Sequence, residues 1–124
     1  MTFMEEASQL EGKPLNHLVG VLQNKSQGYE SRQAAAWAIG KLGAKRTSSA
    51  EVLAEMVEAL TEVVADRSNH YKVRGMAIDA LGKLGMAAIS ALPVLRTFAE
   101  DADQDSSIRY GAKAAIRSIG GGVL

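Results

Sequence analysis

The side chains able to do chemistry in this chain are few. His17 and His70 are the only histidines, and there is no cysteine. The missing thiols exclude a disulfide framework, a thiolate nucleophile and Cys-based zinc or iron–sulfur sites. Neither histidine shares a helix-forming stretch with a carboxylate or second imidazole three or four residues away, the spacing that puts two metal ligands on one helical face. His17, beside Asn16, and His70, just before an arginine-bearing stretch, are therefore expected as surface or turn residues. The two GKLG pieces, residues 40–43 and 82–85, lack the preceding strand and the spacing of a phosphate loop. There is no nucleophile elbow and no distinctive carboxylate pair. The expectation is a non-catalytic chain with no cofactor and no metal.

Composition narrows the setting. At 124 residues the chain is one domain's length, and its 47% apolar and 23% charged residues are those of an ordinary folded protein. Fourteen basic residues balance fourteen acidic ones, so no overall charge steers it to nucleic acid or anionic lipid. The opening MTFMEEASQLEG carries acids where a signal peptide carries bases and an apolar core. No uninterrupted apolar run approaches the ~20 residues of a membrane span. A reducing, cytoplasmic setting without membrane contact is expected.

The elements come from self-similarity. Residues 29–43 (YESRQAAAWAIGKLG), 71–85 (YKVRGMAIDALGKLG) and 106–120 align on Arg32, Arg74 and Arg109, each followed eleven residues later by Gly43, Gly85 or Gly120. In that register Ser31/Val73/Ile108, Ala35/Ala77/Ala112, Ala38/Ala80/Ala115, Ile39/Leu81/Ile116 and Leu42/Leu84/Ile119 coincide. Positions i, i+4, i+7, i+8 and i+11 make the stripe of an amphipathic helix. The arginines are 42 and 35 residues apart, which leaves room for a second helix in each unit.

Those helices are predicted at residues 14–23, 51–65 and 92–100. The middle one sets Leu53, Met56, Val57, Leu60, Val63 and Val64 against Glu51, Glu55, Glu58 and Glu62, with Ser48 and Glu51 as a capping box. Pro14 and Pro93 fall in first turns, where a missing N–H costs nothing. The glycines closing the arginine helices suit left-handed caps, and Asp103, Asp105 and Ser106 suit the last turn. The reading is an all-α superhelix of about three helix pairs, with units near 13–43, 48–85 and 88–120 inside a domain at 13–124. Residues 1–12 are either a capping segment, begun by Thr2 and Glu5 with Phe3, Ala7 and Leu10 covering the stack, or a tail.

The phrases VRGMAIDALGKLG and SRQAAAWAIGKLG resemble HEAT repeats, specifically the short HEAT-like repeats first noted in phycobilisome bilin lyases. The resemblance spans residues 13–120 and implies an α-solenoid. Such repeats serve scaffolds, adaptors, transport factors, a few lyases and some nucleic-acid enzymes. The third unit departs from the pattern, with Arg117-Ser118 in place of Gly-Lys, as a terminal cap would. Iron-binding HEAT-like enzymes use repeated His-Glu pairs, and this chain has none.

In such stacks the first helices of the pairs form the convex face and the second helices the concave face. The arginine-bearing stretches hold ten bases, Arg46 among them, against Glu30 and Asp79, a charge of +8, and the rest of the chain carries −8. The resemblance thus implies a basic inner face and an acidic outer one. The arginines themselves are expected to pin neighbouring units. The stripe leaves Gln33/Gly75/Tyr110, Ala36/Ile78/Lys113, Trp37/Asp79/Ala114, Gly40/Gly82/Arg117 and Lys41/Lys83/Ser118 off the core. The expected function is a protein-interaction module that takes an acidic or amphipathic segment of another protein into a basic groove. Its candidate residues are Trp37, Lys41, Asp79, Lys83, Tyr110, Lys113 and Arg117. Trp37 is either an exposed anchor or packed on the preceding helix or the N-terminal segment. The alternatives are phosphate-backbone binding on the same face, which the zero net charge argues against, and a bilin lyase-like subunit. Self-association through a stack end is a further expectation, since the tail at 121–124 covers little.

Overall fold

The structure, a computed structural model, describes residues 2–45, 48–102 and 104–120. It holds seven α-helices: α1 (Phe3–Leu10), α2 (Leu15–Gln23), α3 (Tyr29–Ala44), α4 (Ala50–Ala65), α5 (Tyr71–Leu84), α6 (Leu92–Glu100) and α7 (Ser106–Ile119). A 3-10 stretch, Gly85–Ala91, joins α5 to α6. The pairs are α2/α3, α4/α5 and α6/α7. Among the described residues there is no strand. Helices α1, α3, α5 and α7 lie side by side in one layer, with α2, α4 and α6 behind them in a second. The α1 helix thus takes the place of an arginine-bearing helix from a preceding unit. Thr2 caps it, accepting from the Glu5 amide at 3.3 Å, and its Ala7 and Leu10 are buried.

The core lies between the layers. Leu18 and Leu22 of α2, Met56, Leu60 and Val64 of α4, and Leu95 of α6 meet Ile39, Leu81 and Ile108 from the first layer. Complete burial of a side chain of this size contributes about 1.5–3 kcal/mol.

Burial in the first layer is wider than one stripe. Ala36, Ile78 and Gly40, expected off the core, are buried, together with Ala34. A helix in the middle of a layer has neighbours on both flanks as well as behind, so only a narrow outward strip stays wet. The flanks are small because the backbones approach closely. A Cβ on Gly40 would lie 2.9 Å from the Ala80 Cβ, and one on Gly82 3.4 Å from the Ala115 Cα.

Two caps differ from expectation. The α4 cap is Ser49, whose hydroxyl accepts from the Val52 amide at 3.2 Å, one residue beyond the predicted Ser48. Gly43 is not a left-handed cap: α3 runs on to Ala44, and Gly43 is buried where an added Cβ would strike Leu84. Gly85 and Gly120 do take positive φ, at 60° and 101°. Asp103, Arg46 and the 121–124 tail lie outside the described residues.

An 18-residue window within Tyr71–Glu100 reaches a mean hydropathy of 1.5, enough by length and apolarity for a membrane span. Here Gly85 and the kink at Ala88 break it into two helices that pack in different layers.

The arginines hold the turns together. Arg32 Nε donates to the Leu22 carbonyl at 2.8 Å and its Nη2 to Asn69 Oδ1 in the next unit at 2.9 Å. Arg74 repeats this with the Val64 carbonyl at 3.0 Å and Gln104 Oε1 at 2.9 Å. Burial pushes both guanidinium pKa values down, and each remains the strong donor its partners need. Outside them runs a ladder of ion pairs between successive turns, Lys25 to Asp66 at 2.5 Å and Arg67 to Asp101 at 2.6 Å.

Candidate interaction face

The outward strip of the first layer forms a shallow trough across α5. One half lies over the seam with α7, with a volume near 270 Å³, and is lined by Gly75, Asp79, Gly82, Lys83, Gly111 and Ala114 among others. The other half, near 280 Å³, reaches Gln33 of α3 and runs past Tyr71, Lys72 and Met76 to Ser107. The halves share Gly75 and Asp79. Glycine makes the depression: a Cβ on Gly75 would meet nothing within 4 Å, so the missing side chain is simply open space. Across the trough, Asp79 and Lys83 pair at 3.3 Å one helical turn apart. Both are exposed, so this pair is weak and can exchange partners at little cost.

Of the seven candidate residues, the structure brings Asp79 and Lys83 into the trough. Trp37 and Lys41 lie at the seam of α1 and α3. The Trp37 ring is half-buried and meets Phe3 edge-on, with centroids 6.3 Å apart, and the Lys41 ammonium sits 5.0 Å above it. Lys41 also binds the Glu11 carboxylate, and this hydrogen bond holds the Glu11 pKa below its usual range. Tyr110, Lys113 and Arg117 stand together on α7, exposed, with the Lys113 Nζ 5.8 Å from the Tyr110 ring.

The reason is visible in the register. Position 36/78/113 and position 40/82/117 form the flank that faces the following helix, as Gly40 faces Ala80 and Ile78 touches Gly111. On α7 this flank carries Lys113 and Arg117, whereas α3 and α5 have Ala36/Ile78 and Gly40/Gly82 there.

Sequence reasoning placed Gln33, Gly75 and Gly82 off the core but missed Met76 of α5 and Ser107, which joins the trough from the start of α7. Tyr71 and Lys72 were in the aligned stretch without being singled out as site residues. His70 caps α5, its Nδ1 accepting from the Lys72 amide at 3.1 Å. Its ring lies between Tyr29, 4.2 Å away and parallel, and Tyr71 at 4.8 Å. His17 is exposed on α2. Among the described residues no three His, Asp or Glu side chains converge as metal ligands.

With the geometry in place, comparison with known proteins bears on the fold. Residues 31–66, which take in most of α3 and all of α4, match the family model of the PBS lyase HEAT-like repeat. The chain is also similar to an engineered protein of known crystal structure, a target of the Northeast Structural Genomics Consortium. The TM-score is 0.62 at 20% identity, over 85% of this chain and 44% of that one. This chain therefore spans less than half the length of that protein, and the likeness is one of fold. No curated protein matches the sequence. The chain is an all-α solenoid whose residues 31–66 are similar to a HEAT-like repeat.

Proposed function

We propose that this chain is a non-catalytic protein-interaction module that holds an acidic or amphipathic segment of another protein across the trough over α5. The observation that carries this reading is the open space at Gly75, in a wet face whose other helices are otherwise close-packed. An extended segment or a helix laid there can bring its backbone close to that of α5. Lys72 and Lys83 stand at the rim for carboxylates, and Tyr71 and Met76 supply apolar surface. HEAT-like repeats commonly act as scaffolds, and the match of residues 31–66 to such a repeat supports that use.

The test is affinity capture from a lysate of the native cells, with nuclease treatment and a salt series, comparing the wild type with Gly75→Trp and Lys83→Glu. Gly75→Trp starts its side chain in open space, since a Cβ there meets nothing within 4 Å, and unchanged helical circular dichroism checks the fold. A protein retained by the wild type after nuclease and lost with both variants is the expected result. Retention by Gly75→Trp, or recovery of nucleic acid alone, overturns the reading.

A further inference from the structure

The layer behind the trough carries the opposite charge. Glu51, Glu55, Glu58 and Glu62 line the exposed side of α4, and none has an ion-pair partner among the described residues. Glu58 and Glu62 stand on the crest between two grooves. One, near 410 Å³, lies against α2. The other, near 540 Å³, lies against the 3-10 stretch and has Ala54, Val57, Ala65 and Ala87 in its lining. Met86 and Ile89 are exposed on that same 3-10 stretch.

The outer flank of α7 presents the complement. Tyr110, Lys113 and Arg117 fall at i, i+3 and i+7, one stripe on one helix, and Tyr110 is 69% exposed. No acidic partner faces either cation among the described residues. A helix packed on this flank as closely as α5 packs on α3 would bury both charges, so the stripe does not suit continuation of the stack. It suits an acidic cleft with an apolar floor, where a tyrosine ring and a lysine stem bury while the cations meet carboxylates at the rim.

We infer that copies of this chain associate head to tail, the Tyr110–Lys113–Arg117 stripe of one copy seated in the groove between α4 and the 3-10 stretch of a second, against Glu58 and Glu62. The two surfaces lie on different parts of one molecule, so each copy can give one and receive the other. The zero net charge removes the general repulsion that keeps strongly charged proteins apart. Tyr110, Lys113 and Arg117 are not among the residues that line the trough.

Sedimentation of the full chain over a concentration series at low and high salt tests it. The wild-type mass roughly doubles or more across the series at low salt and falls back to the monomer at high salt. Lys113→Glu/Arg117→Glu and Glu58→Lys/Glu62→Lys each stay monomeric at low salt with unchanged helical circular dichroism. Mixed together, these two monomeric variants associate again, because each then offers the other a complementary surface. A wild type that remains monomeric throughout overturns the inference. So does association that persists in either variant alone, or a mixture that stays monomeric.

Discussion

The seams α3–α5 and α5–α7 are built on one register but closed to different degrees. At the first, Gly40 lies so close to Ala80 that a methyl group at Gly40 would fall inside van der Waals contact. At the second, Gly82 and Ala115 leave ordinary contact distance. The pins differ in the same sense. Arg32 ends on Asn69, which is itself buried and donates to the Val63 carbonyl at 3.1 Å. Arg74 ends on the longer side chain of Gln104, and its buried Nη2 finds no acceptor among the described residues, resting near the Phe98 ring instead. The half of the trough richest in glycine, lined by Gly75, Gly82 and Gly111, lies over the second seam. A repeat can therefore hold its fold with a tight junction and open a surface at a looser one.

The largest expected effect comes from the pins. Arg32→Ala leaves the Leu22 carbonyl and the Asn69 side chain without donors in a dry junction, a loss of roughly 3 kcal/mol or more. Arg109 binds the carbonyls of Ala102 and Gln104 within its own turn and is only partly buried, so Arg109→Ala costs about 1 kcal/mol. Urea midpoints of the two variants measure the difference, and equal losses would remove the distinction between junction and local turn.

A second comparison uses one substitution in two places. Gly40→Ala must push apart two backbones and is expected to destabilise by about 1–2 kcal/mol. Gly82→Ala gains helix propensity without a clash and is expected to be neutral or stabilising by about 0.5 kcal/mol. Thermal melts of the pair read the opposite signs directly. Like signs would mean that the seams are equally tight.

The smallest effect is electrostatic. Hydrogen bonds from Lys25 and Ser68 hold the Asp66 carboxyl well below the usual carboxylate range. A carboxyl depressed in the folded state adds stability above its unfolded pKa near 3.9 and loses it as pH falls through the folded value. Stability should thus fall on acidification below about pH 4, and Asp66→Asn should flatten that fall by giving up the same small contribution already at neutral pH. An unchanged acid profile in the variant would show that the rung between the first two turns contributes nothing.

The solenoid was legible because alanines and branched residues recur at helical spacing and the arginines mark the register. The helix bounds followed closely, α6 falling at 92–100 as read, while the α4 cap moved by one residue because Ser48 and Ser49 offer the same hydroxyl. The face was legible in part. Periodicity gives the angle of a side chain around its own helix, which placed Asp79 and Lys83 outward. It does not say which flanks the neighbouring helices cover, so Ala36 and Ile78 were read as wet and are dry. For the same reason Lys113 and Arg117 were grouped with the groove and stand on the outer flank of α7. Trp37 depended on α1, which the pattern of Phe3, Ala7 and Leu10 left open between a cap over the stack and a tail.

The arginine links also order the motions of the molecule. Arg32 and Arg74 each tie a carbonyl ten residues earlier to a turn in the following unit, so opening either junction breaks contacts on both of its sides. Among the described residues Arg109 ties only its own turn. In deuterated water, amides of α7 should therefore exchange through a local opening well before those of α3 and α5, which wait for a larger part of the stack to come apart. The array should fray from that side inward, one pair at a time, with the pair α2/α3 and its neighbour α4 as the slowest-exchanging block.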